Sequence, residues 1–186
     1  MSENAREAIL AAARRTAQAH GYGGLNFRDI GAEVGIKAAS IYHHFPGKAE
    51  LGAAVAKRYW EDAAANLEAL SAANSDPKKA LRAYPAVFRR SLENDNRMCL
   101  CSFMSAEYDD LPDAVKTEVQ AFADVNVAWL TKMLAVASVP ASKREARARA
   151  IYAAVAGAQL MARSRADLKL FDALIENYRG SGLIPT

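Results

Sequence analysis

The chain has 186 residues, of which 52% are hydrophobic and 24% are charged, a composition typical of a folded globular protein and not of a disordered chain. Its 24 basic and 21 acidic residues give a formal net charge of +3, too even a balance to identify a nucleic-acid partner by itself. No segment reaches the roughly 20 apolar residues of a membrane span and no signal peptide is recognisable, so a cytoplasmic protein without a membrane partner is expected.

Apolar residues recur at spacings of three and four, without the alternation of strands, and this pattern predicts an all-α protein of about nine helices. The first helix is expected over about residues 4–20, where the glycines of residues 21–24 end it. Asn26 is placed as the N-cap of a short second helix, which ends at Gly35. A third short helix over residues 36–45 completes the N-terminal group.

A long helix over about residues 48–73 follows, and a domain boundary is expected along it, with residues 1–50 in the first domain and residues 51–186 in the second. Asp76 is placed to cap the next helix, and Pro85 inside that helix predicts a kink because proline lacks the amide donor. The later helices are expected at about residues 99–110, 113–133, 142–163 and 167–178.

The second and third helices, joined through Gly35, have the proportions of a helix-turn-helix. The turn needs a residue with positive φ, which glycine adopts without steric cost. A three-helix unit that binds nothing would show the same apolar pattern. The outward face of the third helix therefore carries the functional argument.

Helical geometry, at about 100° per residue, turns Ile41 and Phe45 toward the core. The opposite face combines small side chains, which let a backbone approach the floor of a DNA major groove, with donors that reach phosphates and base edges. An exposed helix without a partner more often carries Glu and Lys at such positions. This face and its flanks consist of Lys37, Ala39, Ser40, Tyr42 and His43.

The segment GYGGLNFRDIGAEVGIKAASIYHHFPGKAEL, residues 21–51, resembles the DNA-binding signature of the TetR (tetracycline repressor) family, whose recognition helix ends Tyr-x-x-Phe-x-x-Lys. The resemblance covers about residues 5–52. Two positions depart from the family pattern: Leu25 replaces a frequent Thr, and Gly31 replaces the usual Ala, which should loosen the helix by up to about 1 kcal/mol. The DNA contacts that the resemblance implies are Asn26, Arg28, Lys37, Ala38, Ala39, Ser40, Tyr42, His43 and Lys48.

The resemblance also implies a homodimeric transcription regulator, usually a repressor, whose second domain binds a small-molecule effector and releases double-stranded DNA. Two-fold symmetry would place the recognition helices about one helical turn, roughly 34 Å, apart or somewhat more, on a palindromic operator. The last two helices fit the dimer role, although packing within one chain explains the same apolar residues. The dimer candidates are Ala154, Gly157, Ala158, Met161, Phe171, Leu174, Ile175 and Tyr178.

Polar residues on otherwise apolar helix faces suggest an effector site in the second domain, since a buried polar group needs a partner. Hydrogen bonds within the protein would satisfy the same polar groups, and aromatic residues at helical spacing are commonly plain core. The ligand candidates are Tyr84, Phe88, Met104, Tyr108, Phe122, Asn126, Trp129 and Gln159.

Cys99 and Cys101 invite two interpretations: burial as small hydrophobic residues, or a sensor thiol whose pKa is lowered by Arg97 and a helix N-terminus. The second gives an alternative function, a repressor that senses oxidants or electrophiles. No metal site is expected, since no further ligand completes the two thiols and the adjacent His43 and His44 diverge by about 100° on a helix. No cofactor is expected. The sequence shows neither a catalytic triad nor a phosphate-binding loop, so an enzyme is not expected.

Overall fold

The computed structural model describes residues 3–185, which form ten α-helices, one 3-10 turn at Tyr108–Asp110 and no strand. The prediction of an all-α protein is confirmed. In chain order the helices are α1 (Glu3–His20), α2 (Phe27–Val34), α3 (Ala38–Tyr42), α4 (Lys48–Ala72), α5 (Pro77–Ala83), α6 (Ala86–Glu93), α7 (Leu100–Ser105), α8 (Asp113–Val136), α9 (Ala141–Ser164) and α10 (Leu168–Gly180).

The helix expected to kink at Pro85 is divided there into α5 and α6, which accounts for one helix beyond the nine expected. Asp76 caps α5 as predicted, because its carboxylate accepts the Lys78 N–H at 2.9 Å. The helix expected over residues 99–110 is shorter than predicted. Its end tightens where the Glu107 N–H donates to the Met104 carbonyl three residues earlier, and a 3-10 turn follows.

The chain divides into two compact units. The first contains the residues up to Glu61 together with Cys99–Phe122, and therefore includes α1, α2, α3 and α7. The second contains Asp62–Met98 and the residues from Ala123 onward, including α5, α6, α9 and α10. The long helices α4 and α8 each contribute residues to both units.

The first unit is built around α1, which packs against α2 and α7. Two polar contacts join its helices: Arg58 pairs with Glu7 at the surface, and the half-buried Trp60 indole N–H donates to the Glu118 carboxylate at 2.7 Å. The core residues Ile9, Leu10, Ala13, Ile30, Ile41, Phe45, Leu51 and Met104 are at most 5% exposed, so the apolar stripes read from the sequence face inward as expected.

The second unit packs α9 against α6 and α10. Ile151, Val155 and Ala158 line the inner face of α9. An ion pair at the surface also ties α6 to α10, since the Arg89 guanidinium donates to the Asp172 carboxylate at 2.7 and 2.9 Å. Within residues 3–185, no helix is long and apolar enough to cross a membrane.

Candidate functional site

The helix-turn-helix is fixed at both ends of α2. Asn26 is extended, and its side-chain oxygen accepts the N–H groups of Arg28 at 2.8 Å and Asp29 at 3.4 Å, the geometry of an N-cap. Gly35 has φ 78° and ψ 27°, and its N–H returns to the Gly31 carbonyl. Both predictions for the ends of this helix are confirmed.

Gly31 explains how closely α2 and α3 approach. A Cβ added at this buried glycine would lie 2.8 Å from the Ile36 carbonyl oxygen and 3.3 Å from the Ala38 nitrogen, both backbone atoms. The glycine that replaces the family's usual alanine therefore lets α2 and the start of α3 lie closer together than an alanine side chain would allow. Glycine's lower helix propensity is offset here by packing that alanine would not permit.

Helix α3 has only five residues, shorter than the predicted 36–45. It starts after Lys37, which is extended at φ −71° and ψ 144°, and Pro46 disfavours helical geometry at Phe45. Ile41 and Phe45 are buried, whereas Tyr42 is 57% exposed. Lys37, Ala39 and His43 are also exposed, while Ala38 and Ser40 are half-buried.

Tyr42 is held in place although it is exposed. Its ring lies 4.7 Å from the Phe27 ring at the start of α2, so the aromatic packing restricts its rotation while one side faces solvent. An oriented phenol costs little side-chain entropy when it donates to an anion. The geometry therefore suits a hydrogen bond to a phosphate.

Uncompensated positive charge lies beside α3. Arg28 and Lys37 are exposed, and neither forms an ion pair with any side chain of the described part of the chain. Arg15, in contrast, is bound to Glu33 on α2 at 2.5 Å. The basic residues available to a polyanion at this surface are thus few and specifically placed, which agrees with the modest net charge.

Lys48 begins α4, and its ammonium lies over the turn between α1 and α2. The Nζ atom donates to the Gly23 carbonyl at 3.0 Å and lies 4.7 Å from the Tyr22 ring centroid. An ammonium has three N–H donors, so these contacts leave donor capacity for a phosphate.

A residue outside the predicted DNA contacts binds the same turn. The Glu107 carboxylate accepts the N–H of Tyr22 at 2.6 Å and the N–H of Gly23 at 2.9 Å. Glu107 lies more than 80 residues further along the chain, and no motif marks it. The sequence signal for this contact is the three glycines among residues 21–24, because they indicate a turn with accessible amide groups.

Five of the ligand candidates lie in the second unit, and protein partners satisfy their polar groups. The Tyr84 hydroxyl donates to the Asn126 side-chain oxygen at 2.9 Å, and the Gln159 amide donates to the Phe88 carbonyl at 2.7 Å. Tyr84 also stacks on Trp129, with ring centroids 5.7 Å apart. All five residues are at most 4% exposed, as in a packed core.

The other three ligand candidates belong to the first unit. Met104 and Phe122 are buried there, at 0% and 2% exposure. Tyr108 is 47% exposed, and the Lys116 ammonium lies 4.8 Å from its ring centroid. A ligand role for these residues stays a prediction.

A groove of about 770 Å³ opens between α8 and α9 in the second unit, a size that accommodates a small molecule. Thr131 lines it, and the buried hydroxyl oxygen of this residue has no hydrogen-bond partner in the described part of the chain. The sequence did not reveal this groove because its walls mix alanines with charged residues. The lining residues are Ala123, Asp124, Val127, Ala128, Thr131, Lys132, Ala135, Arg144, Glu145, Arg149 and Tyr152.

The dimer candidates separate into two groups. Ala158, Phe171 and Ile175 are at most 3% exposed, and their helices, α9 and α10, pack against each other within one chain. Gly157 and Met161 are exposed, and the remaining candidates, Ala154, Leu174 and Tyr178, are half-buried. Leu160, absent from the sequence-based set, is 58% exposed beside Met161 at 44%.

Both cysteines are buried, each 1% exposed. Burial raises the pKa of the Cys99 thiol and raises the pKa of the Cys101 thiol well above its ordinary value. The expectation that Arg97 and a helix N-terminus lower a thiol pKa here is wrong, because the loss of solvation outweighs the hydrogen bonds that favour the thiolate. The interpretation as small buried residues describes both cysteines.

We therefore expect both native thiols to react slowly with an aromatic disulfide reagent at neutral pH, and both to react promptly in denaturant. An unfolded thiol loses its proton near pH 9.0, while the native thiols keep theirs. The native state then binds more protons, so the free energy of unfolding falls as pH rises above about 9. Urea unfolding at neutral and alkaline pH measures this fall. Rapid native labelling at neutral pH would support the thiol sensor instead.

Among residues 3–185, no group of three or more His, Cys, Asp or Glu side chains is placed to hold a metal ion. His43 is exposed and His44 is half-buried at the end of α3.

The sequence and the fold both match known regulators. The family model described as bacterial regulatory proteins, tetR family, matches residues 9–55. A TetR-family transcriptional regulator from Agrobacterium tumefaciens is 31% identical over 99% of each chain, with a TM-score of 0.90. A TetR transcriptional regulator from Legionella pneumophila is 28% identical over 94% of this chain and 95% of that one, with a TM-score of 0.88.

NemR of E. coli, in its reduced form, shares the fold at 21% identity, over 95% of this chain and 96% of that one, with a TM-score of 0.83. No curated protein matches the chain at a significant level. The family model covers the helix-turn-helix, and the Agrobacterium regulator matches over nearly the full length. The chain therefore belongs to the TetR family of bacterial DNA-binding transcriptional regulators.

Proposed function

We propose that this protein is a sequence-specific repressor that binds a palindromic operator as a homodimer and leaves it when a small molecule binds its second domain. The exposed face of α3 is the observation that carries the proposal. It presents small side chains and donors to solvent, while Ile41 on its other side and Phe45 just beyond its end are buried. That combination fits a major groove better than an ordinary solvated surface.

In this proposal residues 1–50 form the DNA-binding domain and residues 51–186 the ligand-binding and dimerisation domain. The α3 residues read base edges, while charged and capping groups bind the phosphate backbone. The DNA contacts are Asn26, Arg28, Lys37, Ala38, Ala39, Ser40, Tyr42, His43 and Lys48.

For dimerisation, we expect the double variant Leu160→Glu and Met161→Glu to sediment as a monomer and to bind operator DNA weakly. Both side chains are exposed on α9, so two carboxylates there oppose an apolar interface without disturbing the core. Sedimentation equilibrium measures the mass, and Val136→Glu, at a position 61% exposed on α8, is the control that should stay dimeric. A dimeric double variant would refute this interface.

The effector site is proposed in the second unit, at the groove between α8 and α9. Tyr152 lines this groove, and its ring centroid lies 6.2 Å from that of Phe88. Native mass spectrometry of the purified protein tests for a retained small molecule. Adding the recovered compound to a fluorescent protein–DNA complex should lower its anisotropy if the compound is the effector. Unchanged anisotropy at saturating compound would contradict release of the DNA by this compound.

A further inference from the structure

The turn between α1 and α2 is held by a carboxylate from a distant part of the first unit. The two Glu107 oxygens each accept one backbone N–H, from Tyr22 and Gly23, at 2.6 and 2.9 Å. We call this pair of hydrogen bonds the Glu107 clamp. Charge-assisted hydrogen bonds of this kind are among the stronger polar contacts in proteins.

The glycines of the turn leave space for this carboxylate, because they have no side chain. Gly21 has φ 68°, and a Cβ added to it would overlap the Glu107 side chain. A Cβ at Gly23 would lie 3.2 Å from Glu107 Oε1, which is also tight. Glycines that permit this approach leave the backbone flexible in the absence of a tie, because glycine loses the most conformational entropy on ordering.

The clamped turn contacts Lys48 directly. The Lys48 ammonium donates to the Gly23 carbonyl at 3.0 Å and lies over the Tyr22 ring, so the same two residues bind Glu107 through N–H groups and Lys48 through a carbonyl and a ring. The turn also leads into α2, since the Leu25 N–H donates to the Tyr22 carbonyl at 3.1 Å, one residue before the Asn26 cap.

We propose that Glu107 is a positioning residue for DNA binding, which orders the Tyr22–Gly23 turn so that Lys48 presents its ammonium to an operator phosphate. This inference rests on the proposed function of α3 and Lys48. Glu107 itself touches no DNA in the proposed complex. Its removal should weaken binding by releasing the turn, which must then be ordered at the moment of association.

A double-mutant cycle with Glu107→Ala and Lys48→Ala tests the inference in the full-length protein. The probe is a labelled duplex that the wild type enriches from a random-sequence library. Glu107→Ala should lower affinity about fivefold, and Lys48→Ala about tenfold. Because Glu107 acts through Lys48, the double variant should bind about as well as Lys48→Ala alone.

The salt dependence provides a readout that general destabilisation would not move. Lys48→Ala should reduce the slope of log affinity against log salt by about one, and Glu107→Ala should reduce it by a smaller amount, since it disorders the same phosphate contact without removing the ammonium. Asp109→Ala removes an exposed carboxylate two residues away and should change neither affinity nor slope. Glu107→Gln retains the side-chain size. Comparing its thermal midpoint with that of the wild type shows whether loss of the carboxylate destabilises the whole protein or only releases the turn.

Three results would overturn the inference: unchanged affinity of Glu107→Ala, additive losses in the double variant, or tighter binding of Glu107→Ala. Tighter binding would mean that the carboxylate shields the turn amides from a phosphate. If the wild type binds no duplex, the proposed function fails. If the wild type binds but the cycle is additive, DNA binding stands and the role of Glu107 falls.

Discussion

Replacing Tyr42 and Lys48 together by alanine is expected to lower operator affinity roughly hundredfold, about tenfold for each phosphate contact. Tyr42 is 57% exposed with its ring fixed on Phe27, and the Lys48 ammonium keeps donors free beyond its bond to Gly23. Lys48→Ala alone should reduce the salt slope by about one, whereas Tyr42→Ala, which removes no charge, should leave the slope nearly unchanged. Fluorescence anisotropy across a salt series measures both quantities.

Lys57→Ala is the matched control for this experiment. Lys57 is an exposed lysine on the same helix, α4, and forms no ion pair within the described residues. Its replacement lowers the net charge equally and should leave affinity within about twofold. If Lys57→Ala weakens binding as much as Lys48→Ala does, binding depends on overall charge and the assigned site is wrong.

Truncating Tyr84 to alanine is expected to destabilise the second unit by about 3–5 kcal/mol, because this fully buried ring stacks on Trp129 and meets Phe88 edge-on. Tyr84→Phe isolates the hydroxyl. It retains the ring but deletes the 2.9 Å bond to Asn126, and should cost about 1–2 kcal/mol. Urea unfolding followed by circular dichroism gives both values.

Tyr178→Phe provides the comparison for the hydroxyl. Tyr178 is half-buried on α10, and its hydroxyl forms no hydrogen bond within the described residues. This change should stay within about 0.5 kcal/mol of the wild type. A Tyr84→Phe variant as stable as the wild type would show that the hydrogen bond from Tyr84 to Asn126 contributes no net stability.

Local chemistry made much of the fold predictable. Asn26 and Asp76 cap helices where the sequence indicated, since a side chain that accepts nearby N–H groups acts within a few residues. Gly35 adopts the positive φ that its place in the turn requires. Within α3, helical geometry correctly placed Ile41 on the buried face and Ala39 on the exposed one.

Features that depend on residues far apart in the chain were not predictable in the same way. The Glu107 clamp joins positions more than 80 residues apart, and a single glutamate at a helix end has no periodic signal. The close approach at Gly31 became visible only with the α3 backbone in place. On α9 and α10, apolar residues recur at the same helical spacing whether they are buried within one chain, as Phe171 is, or exposed, as Met161 is.

Selection of DNA from a random-sequence duplex library by the full-length protein tests the central claim most directly. We expect enrichment of a two-fold symmetric sequence whose half-site centres lie about one helical turn, roughly 34 Å, apart or somewhat more. The Tyr42→Ala, Lys48→Ala double variant should bind that sequence weakly. Failure to enrich any sequence, or enrichment of one without two-fold symmetry, would contradict a dimer that reads a palindromic operator through α3.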